Sequence, residues 1–199
     1  MKISIITASY NQAAYLPGSL NSVSQQTHEN YEHIIHDALS NDGSQELLRT
    51  YAAGNPRVRL VIEKDGGQVQ AINNGLAAAS GEVLTWLNTD DFLFDSEVLA
   101  KIAKEFEDPR VDVVYGRGWY VDERAERVRD VYVKRTIEGP LDLLSSLGVF
   151  QPALYFRRRV FDLVGGLNPK YQLTLDYEYW IRMLQNGVKF KFIDHYIAK

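Results

Sequence analysis

Cysteine is absent from the 199-residue chain. That removes disulfide staples, thiolate nucleophiles and cysteine-held zinc in one step, and leaves oxygen and imidazole as the ligands open to a metal. Long apolar runs are missing too. No stretch approaches the ~20 residues that cross a bilayer, and the opening MKISIITASYNQ turns polar too early for a secretory leader. Cationic excess is also missing: Lys and Arg number 22 against 26 Asp and Glu, a net charge of −4. A nucleic-acid binder needs a basic face to neutralise phosphates, so no nucleic-acid partner is expected. The four histidines show no HxxxH or HExxH spacing, no serine sits in a GxSxG elbow, and neither GxGxxG nor GxxxxGK[ST] occurs. The expectation is a cytoplasmic protein built on one core, because 199 residues with 45% hydrophobic positions suffice for one domain and fall short of two.

What is present is alternation. Short β-branched runs at 3–7, 33–36, 58–62 and 83–87 are separated by helical patterns at 14–25, 44–51 and 68–79. That order implies βαβ units and a mainly parallel sheet. Asn55-Pro56 and Ser80-Gly81 punctuate the ends of the second and third helices, and Pro17 suits the first turn of the first. The second half reads differently. It predicts a helix over 96–107, a strand at 111–115, and a hairpin of 119–121 with 128–133 around Glu123-Arg124-Ala125-Glu126. A short helix at 141–147, a strand at 153–156, a helix at 175–185 and a last strand at 191–193 complete it. The fold class is therefore α/β, a single domain with a mainly parallel central sheet flanked by helices and an antiparallel addition in its second half.

Ligands bind such sheets beyond the carboxyl ends of the strands. Asn88-Thr89-Asp90-Asp91 stands there after a nearly all-apolar strand. Two adjacent carboxylates repel, and a divalent cation held by one or two carboxylates plus substrate phosphates relieves them, although a turn before a helix accounts for the same residues equally well. Asp37 comes directly off the second strand, where an acceptor-only carboxylate could take the N–H of a nucleobase, while Asp42-Gly43 and Ser44 read as a turn and a helix start. Asp65-Gly66-Gly67-Gln68 reads as a turn that also allows close backbone approach. Asp176-Tyr177-Glu178-Tyr179-Trp180 suits a helix start, and its aromatic surroundings would raise the pKa of a carboxylate toward the range of a general base. The arginines at 157–159 belong to a basic second half whose ordinary reading is a solvated face.

Taken in order, these pieces form a pattern. Ile5-Ile6-Thr7-Ala8-Ser9-Tyr10-Asn11-Gln12, Asp37…Ser40…Asp42-Gly43-Ser44, Gly67-Gln68…Ala71-Ile72-Asn73…Gly75 and Trp86-Leu87-Asn88-Thr89-Asp90-Asp91 are followed by Gln151-Pro152-Ala153, Phe156-Arg157-Arg158, Gly165-Gly166 and the 176–180 segment. Over nearly its whole length the chain resembles glycosyltransferase family 2, the inverting nucleotide-sugar enzymes of the GT-A fold. The resemblance implies a nucleotide-sugar-binding half at 1–95 and an acceptor and catalytic-base half at 96–199. Thr7, Ser9, Asn11, Asp37, Gly67, Gln68, Asn88 and Asp90 would contact the donor, with Asp37 on the base and Asp90 on the ribose. Asp91 would hold Mn²⁺ or Mg²⁺, and Asp176 would be the catalytic base. Gln151, Arg157, Glu178 and Trp180 would face the acceptor.

The partners implied are a nucleotide-diphosphate sugar, UDP first among them, and a saccharide or lipid-linked saccharide of bacterial surface polysaccharide or glycolipid assembly. Peripheral association with the inner membrane face belongs to the same expectation, with 157–159 as contacts to anionic lipid. Two features depart from the family pattern. Leu175 stands where many members carry a glutamate, and the chain stops soon after the last predicted strand, so that a further segment or a second subunit of a homo-oligomer would complete the acceptor site. Two rivals follow: a non-catalytic sugar-nucleotide or glycan-binding module, and a sugar nucleotidyltransferase. The second would need a glycine- and arginine-rich loop where Thr7-Ala8-Ser9-Tyr10-Asn11 stands.

Overall fold

The computed structural model describes residues 1–122, 124–144 and 148–199. Strands β1 (Ile3–Ser9), β2 (Tyr31–Asp37), β3 (Val58–Ile62) and β4 (Val83–Trp86) pair in parallel in the order β3-β2-β1-β4. Helices α1 (Leu16–Ser24), α2 (Ser44–Gly54) and α3 (Gln68–Ala78) make the crossovers. β1 is buried along almost its whole length, as a central parallel strand covered on both faces must be. One face sends Ile6 and Ile34 against Val69, Ile72 and Leu76 of α3. The other sends Ile3 and Ile5 against Val23 of α1, while Ile35 meets Leu16, Leu20 and Leu48. α3 can lie this close because Gly75 sits over Ile6, where a Cβ would collide. The chain moves outward from β1 to β3 and then returns to β4 on β1's other side. That reversal opens a crevice between the carboxyl ends of β1 and β4.

The second half adds α4 (Val98–Glu105), β5 (Val113–Val121), β6 (Arg127–Asp130), α5 (Leu141–Leu144) and a 3₁₀ turn at Gln151–Ala153. β7 (Leu154–Arg157), α6 (Arg158–Val164), α7 (Leu175–Gln185) and β8 (Phe190–Ala198) follow. β7 runs antiparallel between β4 and β5, and β8 pairs in parallel with β5. α7 lies over the same face as α3. Tyr179 meets Trp86 and Phe156 edge to face at centroid distances of 6.1 and 5.8 Å, so the first half of α7 covers the carboxyl end of β4. The end of β8 clasps the segment that follows β4. Phe92 N–H donates to Lys199 O at 2.6 Å, Lys199 N–H to Phe92 O at 2.9 Å, and Phe94 N–H to Ile197 O at 2.9 Å.

Four elements differ from expectation. β5 is one strand where two were predicted, and β8 is three times the predicted length. Gly116 and Gly118 look like breaks in the sequence, but a Cβ at Gly116 would strike β8 and one at Gly118 the Phe150 ring as well as Ala198 O of β8, so the glycines give the clearance that lets β5 lie against its neighbours. β6 ends at Asp130, short of 133. α6 was not expected, since a seven-residue helix with Val160 as its one buried residue carries no periodic signal. In the predicted hairpin turn Glu123 lies outside the described residues, as do 145–147 of the helix predicted over 141–147.

Candidate functional site

The loops after β1 and β2 are stapled to each other. Asn11 N–H donates to Ser40 Oγ at 2.8 Å, and Asn11 Oδ1 accepts from Asn41 N–H at 2.9 Å. Gln12 N–H reaches Ser44 Oγ and Ala13 N–H reaches Asp42 Oδ2. Asn11 adopts a left-handed backbone (φ 53°) that asparagine tolerates better than most side chains. Asp37, 1% exposed, accepts from Ser9 Oγ at 3.0 Å, Ser40 N–H at 2.9 Å and Ser40 Oγ at 2.6 Å. A carboxylate offers about four acceptor positions, and the chain itself fills three of those on Asp37.

Beside this floor lies a cleft of about 510 Å³, lined by Ser9, Tyr10, Ala38, Lys64, Gly67 and Gln68 among others. α3 begins at its wall. Its N-cap is Gly67 at φ 99°, no side chain caps it, and no acidic residue stands in its first turn. Gly67 N–H itself goes to Asp65 Oδ1 at 2.8 Å and Gly66 N–H to Gln70 Oε1 at 2.6 Å, so the N–H groups of the first turn proper and the positive end of the helix dipole are what α3 offers to an anion.

The loop after β4 is joined to this cleft through Gln68. Gln68 Nε2 donates to Asn88 Oδ1, and Asn88 Nδ2 donates to both Asp91 Oδ2 and Gln151 Oε1, each at 3.0 Å. Asp90 is exposed, whereas Asp91 keeps part of its surface yet lies low among protein atoms. Burial first, and then the negative charge of Asp90, push the Asp91 carboxyl up to about 7, against the opposing hydrogen bonds from Asn88. A carboxylate so placed would be stabilised in its charged form by a nearby cation. Among the described residues no three His, Cys, Asp or Glu side chains converge, so the chain offers at most this pair. A pair of carboxylates fits Mg²⁺ or Mn²⁺, which commonly take their remaining ligands from phosphate and water.

Asp176 stands in the first turn of α7, one turn before Tyr179, which packs on Trp86 at the end of β4. Burial raises its pKa, opposed by the Tyr177 N–H that donates to Oδ1 at 2.7 Å.

Several expected contacts are not brought to the cleft. Thr7 is 1% exposed and donates its hydroxyl to Leu87 O at 2.8 Å, with His33 Nε2 at 3.0 Å on its other side, so it locks β1 to the chain after β4. Arg157 pairs in register with Val83, at the amino end of β4 and the opposite edge of the sheet. Its guanidinium donates to Val111, Phe106 and Asp108 carbonyls. Arg158 donates to Ala79 and Gly81 carbonyls and Arg159 to Asp112, which leaves this basic run occupied by the protein itself. Trp180 is 1% exposed in the core. Glu178 is gripped by both arms of Arg182 at 2.8 Å. Gln151 does stand at the site, bonded to Asn88 and to Trp86 O. Tyr10 and Lys64 line the cleft and were not singled out from the sequence, although they stand three and two residues after predicted strands.

A family model described as Glycosyl transferase family 2 matches residues 4–165. A PGL/p-HBAD biosynthesis glycosyltransferase of Mycobacterium bovis is 31% identical over 192 residues, covering 92% of this chain and 70% of that protein. An uncharacterized glycosyltransferase of Nostoc sp. is 29% identical over 88% of this chain and 57% of its own length. Among solved structures, S. aureus TarS 1-349 in complex with UDP-GlcNAc superposes with a TM-score of 0.81 at 20% identity, covering all of this chain and 58% of that one. A mannosyltransferase, PcManGT from Pyrobaculum calidifontis in complex with GDP-Man and Mn²⁺, gives 0.73 at 20% identity over 98% of this chain and 55% of that one. These likenesses establish the GT-A fold. The chain thus spans well under two thirds of the solved neighbours.

Proposed function

The chain belongs to glycosyltransferase family 2, and on that premise we propose that it transfers a sugar from a nucleoside-diphosphate donor to an acceptor hydroxyl with inversion at the anomeric carbon. The observation that carries this reading is the chain of hydrogen bonds from Gln68, in the wall of the cleft, through Asn88 to Asp91, which holds one of two adjacent carboxylates beside a nucleotide-sized space. Asp37, fixed by Ser9 and Ser40, accepts a base N–H. The uncapped start of α3 receives the diphosphate, Asp90 the ribose, and Asp91 the divalent ion. The chemistry supplied by bound Mn²⁺ or Mg²⁺ is neutralisation of charge on the departing diphosphate. Asp176, its pKa raised by burial, accepts the proton of the acceptor hydroxyl while that oxygen bonds to the anomeric carbon and the bond to the diphosphate breaks on the opposite face.

UDP is the preferred nucleotide, supported by the TarS complexes, and the mycobacterial relatives favour a glycolipid or surface-polysaccharide acceptor. No helix among the described residues is long and apolar enough to cross a membrane. A cytoplasmic enzyme that meets a lipid-linked acceptor at the membrane surface fits this reading.

Calorimetry of UDP with and without Mn²⁺, combined with a transfer assay, tests the assignment. Asp91→Ala is expected to lose the Mn²⁺-dependent part of UDP affinity. Asp176→Asn is expected to keep it and lose transfer by about 10²–10⁴-fold. Parental transfer by Asp176→Asn would remove the base, and unchanged Mn²⁺-dependent affinity in Asp91→Ala would remove the metal site.

A further inference from the structure

Side-chain amides can point either way round, and only their partners decide which end donates. Around Asn88 that decision has a fixed origin. The β4–β7 ladder ends at Leu84–Phe156, and beyond it the carbonyl of Trp86 is taken by Gln151 Nε2 at 2.7 Å. A backbone carbonyl can only accept, so this end of Gln151 must be its NH₂ group and the other its oxygen. That oxygen accepts from Asn88 at 3.0 Å, which makes the facing Asn88 atom Nδ2. The second hydrogen of Nδ2 then goes to Asp91 Oδ2 at 3.0 Å, and Asn88 Oδ1 turns to Gln68 Nε2 at 3.0 Å. Every polarity in the circuit follows from one main-chain oxygen of β4.

We propose that Gln151 is a positioning residue that sets the orientation of Asn88, so that Asn88 presents a donor rather than an acceptor to Asp91 and holds Asp91 Oδ2 in place while its other oxygen stays free for the divalent ion. The proposal rests on the nucleotide-sugar reading of the cleft and assigns Gln151 to the donor side, in place of the acceptor contact expected from the sequence. With Gln151 unable to bond, Asn88 keeps only Asp91 and Gln68, itself an amide that can turn, to oppose rotation by half a turn. Its Oδ1 would then face the Asp91 carboxylate, and two acceptors would repel where one hydrogen bond now holds. Gln68, at the start of α3, would lose its acceptor in the same event. The circuit therefore joins the wall that receives the diphosphate to the carboxylate that holds the ion.

The test is a double-mutant cycle on UDP affinity, measured by calorimetry with and without Mn²⁺. Gln151→Met, which keeps the length of the side chain and removes both hydrogen bonds, is expected to lower the Mn²⁺-dependent affinity about 10-fold or more. UDP affinity without metal should stay within about twofold. In the Asn88→Ala background the same Gln151→Met change is expected to add nothing, because its route to Asp91 is already gone. Gln151→Asn, too short to span from Trp86 to Asn88, should show the same selective loss, and it serves if the methionine variant fails to fold. Additive losses in the cycle, or an equal loss with and without Mn²⁺, would overturn the positioning role. A parental protein that binds UDP, GDP and dTDP no better with Mn²⁺ than without would overturn the reading of the cleft, and Gln151's role with it.

Discussion

The Asp91 carboxyl, pushed up to about 7, makes a statement about stability as well as about binding. A folded-state pKa above the unfolded value means that the native protein holds the proton more tightly. The resulting stabilisation is full below about pH 4 and has been lost once pH passes about 7. In metal-free protein above that point, Asp91 and Asp90 face each other charged. Asp91→Asn removes the conflict, so thermal melts in chelator at pH 8 should place its Tm at or above the parental value, with the advantage shrinking toward pH 5. A variant less stable at pH 8 than at pH 5, relative to parent, would contradict this. From the sequence the pair at 90–91 was open to two readings, a turn before a helix or a cation site, and what the fold adds is the partial burial of Asp91 and its bond from Asn88. The structural roles of Thr7, Arg157 and Trp180 were not legible there. Their types suit a ligand, but the side of the strand or helix on which they project, and the end of the sheet they occupy, follow from register with β4 and from packing, which no single segment encodes.

At the scale of elements, the opposite edge of the sheet is tied by Glu32 of β2. Its carboxylate accepts from Ser4 Oγ on β1, from Ser80 N–H and Oγ in the turn before β4, and from Lys2 Nζ. Burial raises its pKa, but these hydrogen bonds outweigh burial and hold it at about 2. The tie is thus complete above about pH 4.5 and is lost as pH falls toward 2. Glu32→Gln should cost about 1–2 kcal/mol at pH 7, allowing for partial solvent screening, and the gap should close in acid. Urea denaturation at pH 7 and pH 3 measures it, and a gap independent of pH would refute the assignment. The first four strands and three helices were readable because parallel strands covered on both faces are continuous apolar runs set between helical periods. β5 and β8 were not, since Gly116 and Gly118 carry the signature of a break and serve instead as clearance for β8 and the Phe150 ring.

Across the whole molecule, the sheet brings together residues separated by most of the first 151 positions: the loop after β1, the start of α3, the loop that carries the pair at 90–91, and the turn at 151. Most of these meet through strand order rather than through local sequence. The clasp between β8 and the segment after β4 extends this to the last residues. In hydrogen-exchange terms Phe92 and Lys199 are each other's partners and Phe94 bonds the nearby Ile197, so the three amides are expected to open as one cooperative unit. Their exchange should report a common opening free energy, and bound UDP with Mn²⁺ should slow all three together. Lys199 exchanging at the rate of a frayed end while Phe92 stays protected would show two units instead of one. If they do open together, the protection of the final strand becomes a remote gauge of occupancy at Asp91, readable at amides that touch no ligand.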